Sequence, residues 1–446
     1  MVREISRTLI TATLIREAGL RAQPISPLDA KYTEISFDAN RPVGCSSVRT
    51  KTWSEKEVMR NTQSSFGPGL PFSQAEYDRR WQAVLDRFQE FGVDAVISTF
   101  SRNHQYLTAH AASGSYARPY YLIIAPDVPR TNIVRLYDEW DVRAQSIPLE
   151  IHTYHQLADA GKVCAEVMRS LGLDRGRVGM ELDLFGMTAR DVMELQELLP
   201  NIEVVDVSRL ILTVADIKSA DEIAVMRKAM EGTEAGVAAF VDALKEGVSE
   251  LETATIVQAA VESTGVEAQS FSLLFGDRTA VGHAKPSNNR LKQGDVAYIE
   301  VGGKLHDYAA GLVRSAIYGR HAEAEALYEL SNAALEAAIA AAKPGALTGD
   351  VDAAARQVVE RAGRPHTFRQ RVGYSCGLGW STRGYTSLEP GGQNVLRPNM
   401  TLHMPLFLTN EEGRFAIGCS ETILVTDGEA EVLSKGDRDL PFRSNS

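Results

Sequence analysis

Residues 298–303 read YIEVGG, a glutamate set inside an apolar strand. Desolvation disfavours a carboxylate there, so Glu300 either is tied down by backbone N–H groups, titrates upward, or works as a base or nucleophile. A histidine, His283, stands in the loop DRTAVGHAKPSNN after another apolar strand. An imidazole titrates near neutrality and can both give and take a proton, although a lone histidine equally serves structure. A carboxylate and an imidazole brought together would suit hydrolysis of a small polar substrate. Cys45, Cys164, Cys376 and Cys419 lack the paired short spacing of a zinc ribbon or a disulfide framework.

These residues need elements to hold them. Order is expected to begin at Phe72: Ser73 and Glu76 form a capping box, and Tyr77, Trp81, Val84, Leu85 and Phe88 recur at helical spacing before Gly92. The runs VDAVISTF, YYLIIAP, RVGMEL and IEVVDV read as strands, with a helix near Ala160 to Leu171. Alternation of strand and helix to about Asp206 predicts an α/β domain over residues 70–210.

A long helix capped by Ser219 opens the second half, with Ile223, Met226, Met230, Val237 and Phe240 as its apolar stripe. Helices near 249–264 and 322–342 are interleaved with the strands SFSLLFG, VAYIEVGG, VRSAIYG, MTLHMPLFLT and ETILVT. Strands and helices are grouped here, which predicts an α+β domain over residues 215–440.

Residues 1–65 show no sustained periodicity and read as a disordered extension, with Met59 a candidate start and a partner-binding arm as the weaker reading. The net charge of -11 and the pI near 5.4 argue against nucleic acid as a partner, because phosphate affinity rests on clustered Lys and Arg. No run approaches the roughly 20 apolar residues that span a bilayer, so no membrane partner is expected. The basic N-terminus lacks an apolar core followed by a cleavage site. A cytoplasmic location is expected.

The order IKSADEI, the His283 loop, the Glu300 hairpin, RVGYSCGLG, LRPNMTLHMP and SETILVT resembles the pita-bread family of methionine aminopeptidases, prolidases and creatinases, over about residues 70–435. The resemblance implies a small α/β N-terminal domain, a C-terminal curved antiparallel sheet flanked by helices, and a homodimer. Metal-dependent members hold two ions with five ligands. At those positions this chain has Glu300, Gly311, Tyr374, Pro405 and Ser420. A dinuclear site needs several anionic oxygens, so no metal and no cofactor are expected.

The same resemblance assigns His283 to a non-ligand histidine that acts as proton donor and acceptor in metal-free members. It likens Arg118, in YARPYY, to an arginine that reaches across the dimer to grip a substrate carboxylate, a task suited to a planar fork; a surface salt bridge competes. Tyr374 and His403 would line the same pocket, or serve as core and hydrogen-bonding residues. Glu421 beside Ser420 reaches the pocket only if its strand is bulged or shifted in register, and otherwise reads as a solvated strand glutamate.

Creatinase itself is a poor match, since its guanidinium-binding glutamates fall on Val313 and Pro405. The metal-depleted branch that includes ectoine hydrolase is closer in the Ile299–Gly303 strand, in Tyr374, Gly377 and Leu378, in Leu402 and His403, and in Ser420 to Thr422. It implies hydrolysis of a non-peptide C–N bond in a cyclic amidine such as ectoine. Glu300 would be base or nucleophile and His283 proton shuttle, with Tyr374, His403, Glu421 and Arg118 holding the substrate. Two other readings stand beside it: a metal-dependent Xaa-Pro dipeptidase, and a non-catalytic member that binds small carboxylates.

Overall fold

A computed structural model describes residues 32–36, 49–53, 69–380 and 386–443. The chain divides into two compact units, residues 1–69 and 70–446. In the first, β1 (Tyr32–Ser36) pairs antiparallel with β2 (Arg49–Trp53). The extension expected over 1–65 therefore contains a hairpin, and the rest of that expectation lies outside the described residues.

The second unit begins at α1 (Gln74–Leu85), where the Ser73 side chain accepts from the Glu76 amide. Its Tyr77, Trp81 and Val84 are buried. The helical pattern breaks before a short α2 (Phe88–Phe91), which ends at Gly92 with φ 63°, a left-handed conformation that glycine adopts without a Cβ penalty. Six strands then form one sheet: β3 (Ala95–Ser98), β4 (Tyr121–Ile124), β5 (Thr131–Arg135), β6 (Glu150–Tyr154), β7 (Arg175–Met180) and β8 (Asn201–Asp206).

Their order is β6-β5-β4-β3-β7-β8. The two central strands, β3 and β4, are buried at every residue, as a strand covered on both faces must be. Packed on the sheet is α3 (Ala160–Ser170), whose Cys164, Ala165 and Met168 share a core with Ile97, Tyr121 and Val178. Sequence periodicity locates four of these strands; β5 and β6 are too short and mixed to stand out.

The C-terminal half opens with α4 (Ala220–Ala243), fixed by a reciprocal capping box between Ser219 and Glu222. Met226, Met230 and Phe240 of its expected stripe are buried, while Ile223 and Val237 are partly so. After α5 (Glu250–Glu262) come β9 (Glu267–Phe275), β10 (Val296–Leu305) and β11 (Tyr308–Tyr318). Helices α6 (Ala322–Ala341) and α7 (Thr348–Arg361) follow. The chain then forms β12 (Gly373–Ser375), β13 (Ser387–Leu388), β14 (Thr401–Thr409), β15 (Ala416–Leu424), β16 (Glu431–Val432) and β17 (Phe442–Arg443).

Two sheets result, β17-β11-β10-β9 and β13-β12-β14-β15-β16. They meet where β11 faces β15, and hydroxyl groups replace a ladder. Ser420 Oγ accepts from the Val313 amide, Thr422 Oγ1 bonds both the amide and carbonyl of Gly311, and Ser315 Oγ does the same for Gly418. Buried backbone groups are thereby satisfied at a sheet edge that no strand covers. The expected α/β plus α+β architecture is the one observed. Among the described residues, no helix is long and apolar enough to cross a membrane.

Candidate functional site

Glu300 lies on β10, paired with Val313 of β11 and Ser272 of β9. The β9–β10 register shifts between Glu300 and Gly302, a bulge of the kind that re-aims side chains. The side chain is half-buried, and among the described residues its carboxylate accepts no hydrogen bond. Burial raises its pKa, and the nearby His283 charge partly opposes that rise. A carboxylate that is desolvated but unpaired is poised as a base or nucleophile.

His283 is exposed and adopts φ 60° in the loop after β9. Its loop is built around Glu250, which is wholly buried at the start of α5. That carboxylate accepts from Phe275 N at 3.0 Å, Arg278 Nε at 3.0 Å, Ser287 N at 2.9 Å, Ser287 Oγ at 2.7 Å and Asn289 Nδ2 at 3.2 Å. Ala284 packs on the Leu274, Tyr298 and Val313 cluster, carrying His283 to the Glu300 side of the sheet. Sequence analysis missed Glu250; its only sign was an acidic residue in a first helical turn, which ordinarily is solvated.

Tyr374 and His403 are brought together, and both belong to one chain of hydrogen bonds. Trp380 Nε1 donates to Tyr374 Oη at 2.8 Å, Tyr374 Oη lies 3.2 Å from His403 Nδ1, and His403 Nε2 lies 2.8 Å from Ser420 Oγ. His403 is fully buried, and desolvation aided by the Arg314 charge pushes its pKa down to about 3, so the ring is neutral. Burial and then the Glu300 charge raise the Tyr374 pKa, so its hydroxyl keeps its proton.

Trp380 is a second residue that sequence analysis missed. The peptide amide of Gly379 donates to Asp307 O at 2.7 Å, and Ala309 N donates to Gly377 O at 2.9 Å. Those bonds pin the segment to the hairpin tip, and the half-buried indole of Trp380 lies across the facing pair Gly302 and Gly311. A Cβ on either glycine would overlap the ring. Two glycines opposed in an otherwise apolar hairpin were the available signal, because such a gap must be filled from elsewhere.

Two expected residues stand elsewhere. Glu421 is neither in the pocket nor solvated: it projects to the opposite face of β15 from Ser420 and is fully buried. Its Oε1 accepts from Arg314 Nη2 at 2.7 Å and its Oε2 from Ser434 Oγ at 2.6 Å. Burial pushes its carboxyl up while Arg314 and Ser434 pull it back. The strand carries no shift at this point, so alternation turns Glu421 away. Arg118 lies on the N-terminal domain, where Nη1 meets Asp191 Oδ1 at 2.5 Å and Nε donates to Leu157 O at 3.0 Å. It lines a cleft of about 430 Å³ with Ser101, Tyr116, Phe185 and Thr188, and among the described residues it makes no hydrogen bond to the Glu300 cluster.

The residues at the five ligand positions do not fit a pair of divalent ions. They supply one carboxylate, a glycine covered by an indole, a phenol already bonded to Trp380, a proline and a serine engaged by Val313 N and His403. Among the described residues, no three His, Cys, Asp or Glu side chains converge as donors. Hard dications require more anionic oxygen than this.

Residues 224–427 match metallopeptidase family M24, and residues 80–214 match the creatinase/prolidase N-terminal domain. A hydrolase/peptidase from Sinorhizobium fredii, y4tL, is 28% identical over 401 residues, spanning 84% of this chain and 98% of that protein. Among solved structures, dipeptidase PepE from Mycobacterium ulcerans superposes with a TM-score of 0.76 at 20% identity, covering 84% of this chain and 100% of its own. The prolidase from Pyrococcus horikoshii gives 0.71 at 22% identity, covering 81% and 99%. With both domain signatures in order and the two-domain fold they describe, this chain is a hydrolase of the M24, or pita-bread, family.

Proposed function

We propose that the protein hydrolyses a non-peptide C–N bond in a small cationic amidine bearing a carboxylate, with ectoine as the model compound, and does so without a metal. The observation that carries this reading is Glu300, half-buried and with no hydrogen bond among the described residues, its pKa raised by desolvation. An amidinium carbon already carries positive charge, so it needs no Lewis acid to become electrophilic. It also offers the half-buried carboxylate an opposite charge.

Glu300 attacks that carbon or takes a proton from the water that attacks it. The oxygen of water ends on carbon as a carbonyl, the ring C–N bond breaks, and both water protons end on the departing nitrogen as an ammonium. His283, exposed at the rim, is the proton shuttle between the site and solvent. Arg118 holds the substrate carboxylate from the partner subunit of a homodimer, a placement supported by its position on a cleft of the N-terminal domain. The protein acts in the cytoplasm.

A second reading draws on the names of the relatives, which include an Xaa-Pro dipeptidase from Bacillus anthracis. Peptide cleavage by metal would require the ligand positions to act through donors they lack. A non-catalytic carboxylate-binding role would leave Glu300 without work. Mass spectrometry of metal-depleted protein incubated with ectoine, hydroxyectoine, a guanidino acid and Xaa-Pro dipeptides tests all three readings. Ring opening that is lost in Glu300→Gln is expected. Cleavage of the dipeptide alone, dependent on added metal, would support the second reading; binding without turnover would support the third.

A further inference from the structure

We propose that Tyr374 is the proton donor that faces the substrate, its hydroxyl aimed into the pocket by a one-way series of hydrogen bonds that starts at the Val313 peptide. The chemical role assigned to it rests on the metal-free hydrolase reading, whereas the direction of the hydrogen bonds does not.

Direction follows from donors that cannot reverse. The Val313 amide must donate to Ser420 Oγ, at 2.5 Å. Ser420 is fully buried, and among the described residues the acceptor within reach of its own proton is His403 Nε2, at 2.8 Å. If that nitrogen carried the ring proton instead, Ser420 would receive two hydrogen bonds and its hydroxyl would be stranded, at a cost of about 1–3 kcal/mol. Nε2 is therefore the acceptor.

A neutral imidazole has one N–H, so His403 carries it on Nδ1 and donates to Tyr374 Oη at 3.2 Å. Trp380 Nε1–H also donates to that oxygen, at 2.8 Å. Both lone-pair directions of the phenol are then taken. Its proton must point to a further acceptor, and Glu300 is an anionic group whose charge acts on this phenol. The tautomer is thus inferred from the network.

This arrangement does more than orient a proton. When Tyr374 gives its proton to the departing nitrogen, the phenolate is left facing two N–H donors already in place, which is electrostatic preorganisation. Glu300 holds the proton taken from water and returns it to the phenolate. Over the cycle the water oxygen becomes the carbonyl of the product amide, and both water protons end on the departing nitrogen, one by way of Glu300 and Tyr374 and the other released from the hydroxyl as the carbonyl forms; both residues regain their starting states. Tyr374 is then a catalytic residue, while His403, Ser420 and Trp380 are positioning residues.

Two measurements test this. In protein labelled with ¹⁵N-histidine, the His403 signal, assigned among nine histidines by its loss in His403→Gln, should show a protonated Nδ1 and a bare Nε2. Ser420→Ala should shift it toward the other tautomer. A protonated Nε2 in the unsubstituted protein would overturn the proposal. On a substrate that the protein turns over, Tyr374→Phe should lower kcat by about 10²–10⁴-fold with KM changed by no more than a few-fold, and Ser420→Ala should lower kcat less. Unchanged kcat in Tyr374→Phe would overturn the donor role. If no compound is turned over, the hydrolase reading fails, and the ring tautomer still decides the direction of the series.

Discussion

The indole of Trp380 lies against Gly311, in the space that a side chain on Gly311 would need. In the metal-binding pattern this chain resembles, that position carries an aspartate. Glycine and ring go together here: the space a side chain on Gly311 would need is occupied by the indole. Gly311→Ala should destabilise the fold by about 1–3 kcal/mol through overpacking, read as a lower urea midpoint at unchanged slope. Gly311→Asp should cost at least as much and create no divalent-cation binding detectable by calorimetry. An unaltered midpoint in both variants would contradict the packing described.

Arg314 and Glu421 form a buried pair with side-chain exposures of 6% and 0%. Removing one partner leaves the other charge uncompensated, so Glu421→Ala should lose about 3–5 kcal/mol. Arg314→Met with Glu421→Leu should recover most of it. Ligand affinity, measured under conditions where Glu421→Ala remains folded, should be unchanged; a large loss of affinity would return Glu421 to the pocket.

That pair shows where the sequence was legible and where it was not. The hairpin, Glu300 on it and the capping box at Ser219 could be read because each depends on neighbours a few residues apart. Arg314 sits in the apolar run GLVRSAIY, and its partner Glu421 lies 107 residues further along the chain, so no local pattern joins them. Trp380 is invisible to local patterns, since it reaches the hairpin only through the Gly379 to Asp307 bond. Likewise nothing local reveals that Val313 N polarises Ser420, because the contact joins two sheets.

Glu250 should support catalysis without touching substrate. Replacing it with Gln removes an acceptor from the group of donors that shapes the His283 loop. Faster amide exchange across residues 276–289 is expected, together with reduced kcat. Wild-type exchange in that segment would contradict the structural role given to Glu250.

His403 predicts a pH effect on stability. Its pKa is lowered from 6.5 in the unfolded chain to about 3 in the fold, so between these values the unfolded chain binds the proton and the native state does not. Stability is full above about 6.5 and falls as pH drops toward 3, by up to about 1.4 kcal/mol per pH unit for this one group. Replacement by Gln should flatten the acid limb of a stability profile, whatever its cost at pH 7. Glu300 has the opposite sense: its raised pKa means stability is lost as pH rises through the window above the ordinary carboxylate value. Glu300→Gln should be the more stable protein at neutral pH, with the gain shrinking in acid.

In the proposed reaction Glu300 drives C–N hydrolysis without a metal. The direct measurement is turnover of the amidine panel, followed by mass spectrometry, with chelator-treated protein verified by elemental analysis and with its Glu300→Gln variant in parallel. A ring-opened product is expected, with water-derived oxygen on the former amidine carbon when the reaction is run in ¹⁸O-water, no gain on adding divalent ions, and loss of the product in Glu300→Gln. Undiminished turnover in Glu300→Gln, or activity that appears only when metal is restored, would contradict this metal-free role of Glu300.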